Sequence, residues 1–87
     1  MVIISGCTGV GGSTSIGDGT MIGGHVAITD HVAIGKGVQL AGGSQVAADI
    51  PDGSIFGGSP ARPIKQAIRE VNALKRLPDL LKEMRRR

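Results

Sequence analysis

Two histidines, one cysteine and a scatter of serines, threonines and aspartates carry most of the reactive capacity of this 87-residue sequence. His25 and His31 stand six residues apart. Counting eighteen residues either way from His31 reaches Ser13 and Asp49; the same count from His25 reaches Cys7 and Gly43. If equivalent positions recur at that interval, Ser13, His31 and Asp49 share a column. In residue type they match a nucleophilic triad. A triad is defined by geometry, however, and a column on a flat face does not aim an imidazole at a hydroxyl. The simpler expectation is that Asp49 accepts a hydrogen bond from one His31 nitrogen and fixes its tautomer. Metal chemistry is not expected, because a catalytic zinc takes three protein ligands, and only Cys7 could join the two histidines. Cys7 has no partner for an internal disulfide; it reads as a small structural residue in a reducing compartment. The glycine-rich start from Gly6 to Gly12 lacks the Lys-Ser/Thr that completes a phosphate-binding loop.

These side chains are positioned by a repeat. From Ile4 to Pro51 the chain divides into eight consecutive sixes. The first position is always a branched aliphatic: Ile4, Val10, Ile16, Ile22, Ile28, Ile34, Leu40, Val46. The fifth is small or β-branched, from Thr8 to Ile50, and the second is small. The spacing does not supply the i, i+3, i+4, i+7 pattern of a helix. Hexapeptide periodicity instead marks a parallel β-helix. Each six makes one short flat strand and one corner, three sides make a coil, and the 48 repeat residues give about 2.7 coils. Coils stack at ~4.8 Å. First positions point inward and pile up as Ile4/Ile22/Leu40, Val10/Ile28/Val46 and Ile16/Ile34. Fourth positions, His25 and His31 among them, point outward. Glycines suit corners, where φ turns positive or backbones approach closely.

With one Phe and no Trp or Tyr, the core suits a narrow prism better than a globule. A chain of this size forms one domain at most, and oligomerisation would be needed to stabilise it. The opening Met1-Val2-Ile3 runs straight into the first repeat. An uncapped first coil implies either that further coils precede it or that a neighbouring subunit covers its edge. Neither a signal peptide nor an apolar run long enough to span a bilayer is visible, so a cytoplasmic protein is expected. The coils are expected over residues 1–53 and a Gly/Pro loop over 54–63, with a last strand beginning at Ser54-Ile55-Phe56. Helices are expected over 64–87. Pro63 suits the first helical position. Ile64, Ala67, Ile68, Val71 and Leu74 follow helical spacing, and Pro78 should end or kink that helix near Leu77. A second helix would carry Leu80, Leu81 and Met84, with Arg85, Arg86 and Arg87 at its C-terminus. Net charge is +3 overall, but residues 1–60 carry −3 and residues 61–87 carry +6.

The repeats, followed by Asp49-Ile-Pro-Asp-Gly53, Gly57-Gly-Ser-Pro-Ala-Arg-Pro-Ile64 and a Leu74-Lys-Arg-Leu-Pro-x-Leu80 helix, resemble the hexapeptide acyltransferases. Across essentially the whole chain they are most similar to the C-terminal part of the UDP-3-O-acylglucosamine N-acyltransferases of lipid A biosynthesis. The resemblance implies a homotrimer of left-handed parallel β-helices with a C-terminal helical extension. It implies transfer of a 3-hydroxyacyl chain from acyl carrier protein, carrying phosphopantetheine, to the 2-amine of UDP-3-O-acylglucosamine, without a resident cofactor. The family's general base is a histidine in an Ala-His-Asn motif, and its uridine-binding domain lies N-terminal to the coils. This sequence contains neither, so the chain alone is expected to be inactive. His31, in an Ile28-x-x-His-Val-x-Ile34 setting, falls where the family has a second active-site histidine on the acyl-donor side. The resemblance gives His31 an auxiliary catalytic role and leaves Asp49 to orient it. It places the acyl groove between neighbouring β-helices at Gly42 to Val46, with Gly42 and Gly43 as substrate-binding positions and Gln45 where chain length would be limited. Met21, Ala27 and Ala33 offer small or soft surface for such a groove.

Two alternatives stay open: a catalytically silent trimeric β-helix module, and a hexapeptide acetyltransferase using acetyl-coenzyme A. The basic tail has three readings. It could supply solvated outer faces of a helical bundle or dock an acidic acyl carrier protein. Nucleic-acid binding is the weakest, since no aromatic residues interleave with the charges.

Overall fold

The computed structural model describes residues 1–86. Eight two-residue strands follow one another at six-residue intervals: β1 Ile3–Ile4, β2 Gly9–Val10, β3 Ser15–Ile16, β4 Met21–Ile22, β5 Ala27–Ile28, β6 Ala33–Ile34, β7 Gln39–Leu40 and β8 Gln45–Val46. β9 (Ile55–Gly57), β10 (Arg62–Pro63) and one helix, α1 (Ile64–Arg85), complete the chain. The strands are short because each flat side of the prism ends at a corner. Within each pair, the second residue turns inward and the first faces out, as the pleat requires.

The three faces are parallel sheets: β1-β4-β7-β9, β2-β5-β8 and β3-β6, with β10 added antiparallel to β9. Register follows the eighteen-residue interval: Ile4 lies on Ile22 and Ile22 on Leu40; Val10 lies on Ile28 and Ile28 on Val46; Ile16 lies on Ile34. The core is the expected stack of first and fifth positions: Ile22, Val26, Ile28, Val32, Ile34, Val38, Leu40, Val46 and Ile50. Burying each is worth roughly 1.5–3 kcal/mol. The first coil is covered on one side only, so Ile4 stays 47% exposed where Ile22 is 2%.

Threonines at the fifth position staple coil to coil. Thr8 Oγ1 donates to the Gly23 carbonyl and accepts from the Val26 amide. Thr20 repeats this with Gly35 and Val38 one coil on. Aspartates do related work at corners, where Asp30 accepts from the Gly12 amide and Asp52 from the Lys36 amide, both at 2.8 Å. The fourth position is the left-handed corner, with φ of 56° to 61° at Cys7, Ser13, His25 and His31. Glycine fills the same place at Gly19, Gly37 and Gly43. Positive φ therefore falls on ordinary side chains as well as on glycine, at roughly 1–2 kcal/mol for each L-residue. The second-position glycines serve close approach: a Cβ on Gly23 would stand 2.7 Å from the Gly42 amide nitrogen.

Three boundaries differ from the sequence expectation. The eighth repeat is not equivalent to the others. After Val46 the interval shrinks from eighteen to sixteen, so Ile50 lies against Ile34, Ile55 against Gln39 and Phe56 against Leu40. The corner at Ala47–Asp49 is cut short by two residues. As a result the coils extend through β9, giving about three turns, instead of stopping at residue 53.

The tail forms one helix rather than two, and Pro78 lies inside it. Proline forfeits one bond of the ladder, yet the helix runs on through it, with Leu77, Leu80 and Leu81 as good helix formers around it. Pro63 is the N-cap, one place before the expected first helical position. Only Ala67 of α1 is buried; Ile68, Leu74, Leu80 and Met84 are each at least 52% exposed. The helix projects from the prism, and the molecule extends 55 Å along its long axis. Lys82 and Arg85 lie in its last turn, as the helix dipole favours. Arg87 lies outside the described residues.

Candidate functional site

A half-open concavity sits where the face carrying β2, β5 and β8 meets the Gly/Pro loop. Ala27, Thr29, Gln45, Val46 and Ala47 form its floor and wall, Ser59 and Pro60 its rim, around about 380 Å³. The sequence makes the hollow in two ways. Outward positions Ala27 and Ala47 are too small to fill it. The chain then leaves the last coil as a loop that folds back over β8 before α1 begins.

Backbone and side chains hold this loop in place. The Gln45 amide donates to the Gly58 carbonyl at 3.0 Å, and the Ala61 amide donates to the Gln45 carbonyl at 2.8 Å. Ser59 Oγ donates to Gln45 Oε1 at 2.6 Å. With its oxygen engaged, Gln45 keeps its side-chain N–H groups for a ligand. Thr29 adds a hydroxyl with no hydrogen bond among the described residues. On the far side of the loop, Arg62 Nη1 donates to the Pro60 carbonyl at 2.6 Å, and Arg62 Nε reaches both Glu70 oxygens at 3.0 and 3.1 Å. A hydrogen bond from the Gln66 side chain, joined by those from Arg62, holds the Glu70 carboxyl below the usual carboxylate range.

The site offers mostly apolar walls, one amide, one free hydroxyl and no titratable side chain on its lining. That composition suits a narrow, largely apolar chain with amide or carbonyl groups along it. It does not suit proton transfer. A larger hollow lies along α1 between Ala73 and Glu83. A single exposed helix cannot enclose a ligand, so the smaller cavity is the better candidate.

The predicted site residues separate. Gln45 lines the cavity; Gly42 and Gly43 occupy the neighbouring corner, where the Gly43 amide bonds the Gly24 carbonyl. The expected His31–Asp49 hydrogen bond is not formed among the described residues. Asp49 Oδ1 instead accepts from the Ala33 amide at 2.8 Å. The cause is the shortened corner: losing two residues slides Asp49 out from beneath His31 and under Ala33. His31 remains an exposed corner residue, its backbone amide bonded to the Gly12 carbonyl, and it does not line the cavity. Among the described residues no group of three His, Cys, Asp or Glu side chains is placed to hold a metal ion. No helix among them is long and apolar enough to cross a membrane.

Thr29, Ala47, Ser59 and Pro60 were not singled out from the sequence. Ala27 and Ala47 flank Gln45 by register and by alternation, a signal that could have been read. The return of Ser59 and Pro60 over β8 is tertiary and leaves no mark in the repeat.

No protein-family model matches the chain. Among solved structures it is similar to the acetyltransferase domain of PglB from Neisseria gonorrhoeae FA1090 in complex with acetyl coenzyme A. That likeness has 35% identity and a TM-score of 0.70 over 71% of this chain. It is also similar to the hexapeptide-repeat-containing acetyltransferase VCA0836 from Vibrio cholerae O1 biovar eltor, likewise complexed with acetyl coenzyme A, at 27% identity and a TM-score of 0.52 over 71% of this chain. The chain spans 30% of the first structure's length and 47% of the second's. Its parallel β-solenoid is thus an architecture found in hexapeptide-repeat acetyltransferases.

Proposed function

We propose that this chain is the donor-binding end of a hexapeptide acyltransferase, and that the cavity at Gln45 receives the phosphopantetheine arm of an acyl thioester. The observation that carries this reading is the cavity itself, a mostly apolar, half-open hollow with an amide and a hydroxyl beside a proline-loop rim. A pantetheine arm is a narrow chain with amide groups along it, and it matches that lining. The likeness to two acetyltransferases complexed with acetyl coenzyme A, a thioester of the same arm, supports it.

The finer reading is N-acyl transfer in lipid A biosynthesis. A 3-hydroxyacyl chain would pass from acyl carrier protein to the 2-amine of UDP-3-O-acylglucosamine. The amine nitrogen forms the new C–N bond, the thioester C–S bond breaks, the thiol leaves on the carrier and the amine's proton passes to a base. Within this chain Gln45, Thr29 and the Ser59–Pro60 rim would bind and orient the donor; none of them is a base. The resemblance of the Gly57–Ile64 loop and the helix supports this version. Lys65, Arg69, Lys75, Arg76 and Lys82 on α1 would attract an acidic carrier, in a cytoplasmic setting. Copies packing as a homotrimer would cover the exposed apolar residues of α1. The second reading, acetyl transfer from acetyl coenzyme A, is favoured by the ligand of both solved relatives.

Equilibrium binding of the two donors separates these readings. Binding of 3-hydroxyacyl carrier protein, weakening steeply with salt, supports the lipid A version. Binding of acetyl coenzyme A alone selects acetyl transfer. Binding of neither removes the donor reading and leaves a catalytically silent module.

A further inference from the structure

We infer that Arg62 and Glu70 are positioning residues that set the rim of the donor cavity from the helix, an inference that rests on the donor reading of that cavity. The loop over β8 is held on two sides. Its inner side is tied to Gln45 by the Gly58 carbonyl, the Ala61 amide and the Ser59 hydroxyl. Its outer side rests on the β9–β10 pairing at its base and, among the described residues, on the side chain of Arg62. That guanidinium uses one nitrogen on the Pro60 carbonyl and another on both oxygens of Glu70, two turns into α1. Arg62 is 21% exposed and Glu70 46%, so the pair sits at the surface yet has one arm tucked under the loop.

The backbone makes room for this arm. Gly58 has φ of 97°, and a Cβ there would collide with Arg62 Nη1. A lysine could neutralise Glu70, but it has no planar fork to bond Glu70 and Pro60 from separate nitrogens. Arg62 therefore acts through Pro60, whose carbonyl it holds, and does not itself line the cavity. Helix, loop and cavity form one mechanical chain running Glu70–Arg62–Pro60–Ser59–Gln45.

The test uses the full 87-residue chain with acetyl-phosphopantetheine, the thioester arm common to both donor classes. Acetyl coenzyme A and 3-hydroxyacyl carrier protein serve as parallel arms that tell the sources apart. Arg62→Gln and Glu70→Gln should each raise the Kd for acetyl-phosphopantetheine by roughly tenfold, as loss of a charge-assisted anchor warrants. Arg62→Lys should behave like Arg62→Gln. The double variant should bind no more weakly than Arg62→Gln alone, because both changes cut one chain of contacts. The thermal midpoint should stay within a degree or two of the parent, and Ala61 amide exchange should quicken in every variant.

Unchanged Ala61 exchange in Arg62→Gln overturns the clamp. So does faster exchange with an unaltered Kd, because the rim would then move without affecting the donor. If the parent chain fails to bind acetyl-phosphopantetheine, the donor reading falls and Ala61 exchange alone decides whether Arg62 holds the loop.

Discussion

Replacing Thr20 with valine should cost this fold far more than its one-atom difference suggests. Thr20 is fully buried, and its hydroxyl does two jobs between successive coils. It donates to the Gly35 carbonyl at 2.8 Å and accepts from the Val38 amide at 3.2 Å. Valine keeps the shape, and Val26, Val32 and Val38 already occupy the same repeat position, so packing is not the issue. What is lost is both partners' hydrogen bond, with Val38 itself completely buried. Each buried polar group left unpaired costs about 1–3 kcal/mol, so Thr20→Val should lower stability by about 2–4 kcal/mol. Thr8 and Thr14 provide graded comparisons. Thr8 makes the same pair of bonds in a half-buried setting, and Thr14, equally half-buried, makes one, to the Thr29 carbonyl. Urea unfolding at fixed protein concentration, followed by circular dichroism, should rank the losses Thr20 > Thr8 > Thr14, the last within about 1 kcal/mol of the parent. Equal losses at all three positions, or a Thr20→Val loss below about 0.5 kcal/mol, would refute the stapling argument.

Other consequences follow from particular contacts. Gly23→Ala should destabilise by about 1–3 kcal/mol, since its Cβ would press on the Gly42 backbone and force the coils apart; the urea midpoint measures it. Pro78→Ala should strengthen α1 by up to about 3 kcal/mol, seen as slower amide exchange over 79–86; unchanged exchange would mean the helix breaks there after all. Glu70 has a depressed pKa in the fold, so its contribution is present above its unfolded pKa and lost as pH falls through the folded value. The Arg62 Nε–H resonance should therefore be constant at neutral pH and shift only below the usual carboxylate range, and Glu70→Gln should abolish that shift.

Much of the scaffold was legible because period and burial are the same fact in a solenoid. Ile22, Ile28 and Leu40 must point inward, and the eighteen-residue columns follow from three sides of six. The misreadings arose where one local event overrode the period. Two residues missing from the corner at Ala47–Asp49 moved Asp49 from His31 to Ala33, and with it the supposed pair. The expectation that Pro78 ends or kinks the helix rests on a real local cost, yet α1 continues through it as one element. The site was legible in part. Gln45 could be placed through the family resemblance, but Ser59 and Pro60 reach it through a loop whose path is fixed by Arg62 and by bonds to the Gln45 backbone. Such long-range closure leaves no periodic trace.

On the function proposed above, the cavity at Gln45 takes the arm of an acyl thioester. Titrating acetyl-phosphopantetheine into the isotope-labelled chain and following its amide resonances tests this most directly. Saturable shifts should concentrate at Thr29, Gln45, Ala47 and Ser59, with the β3–β6 face and its His31 corner unmoved. Shifts centred on His31 or scattered along α1, or none at millimolar probe, would contradict it.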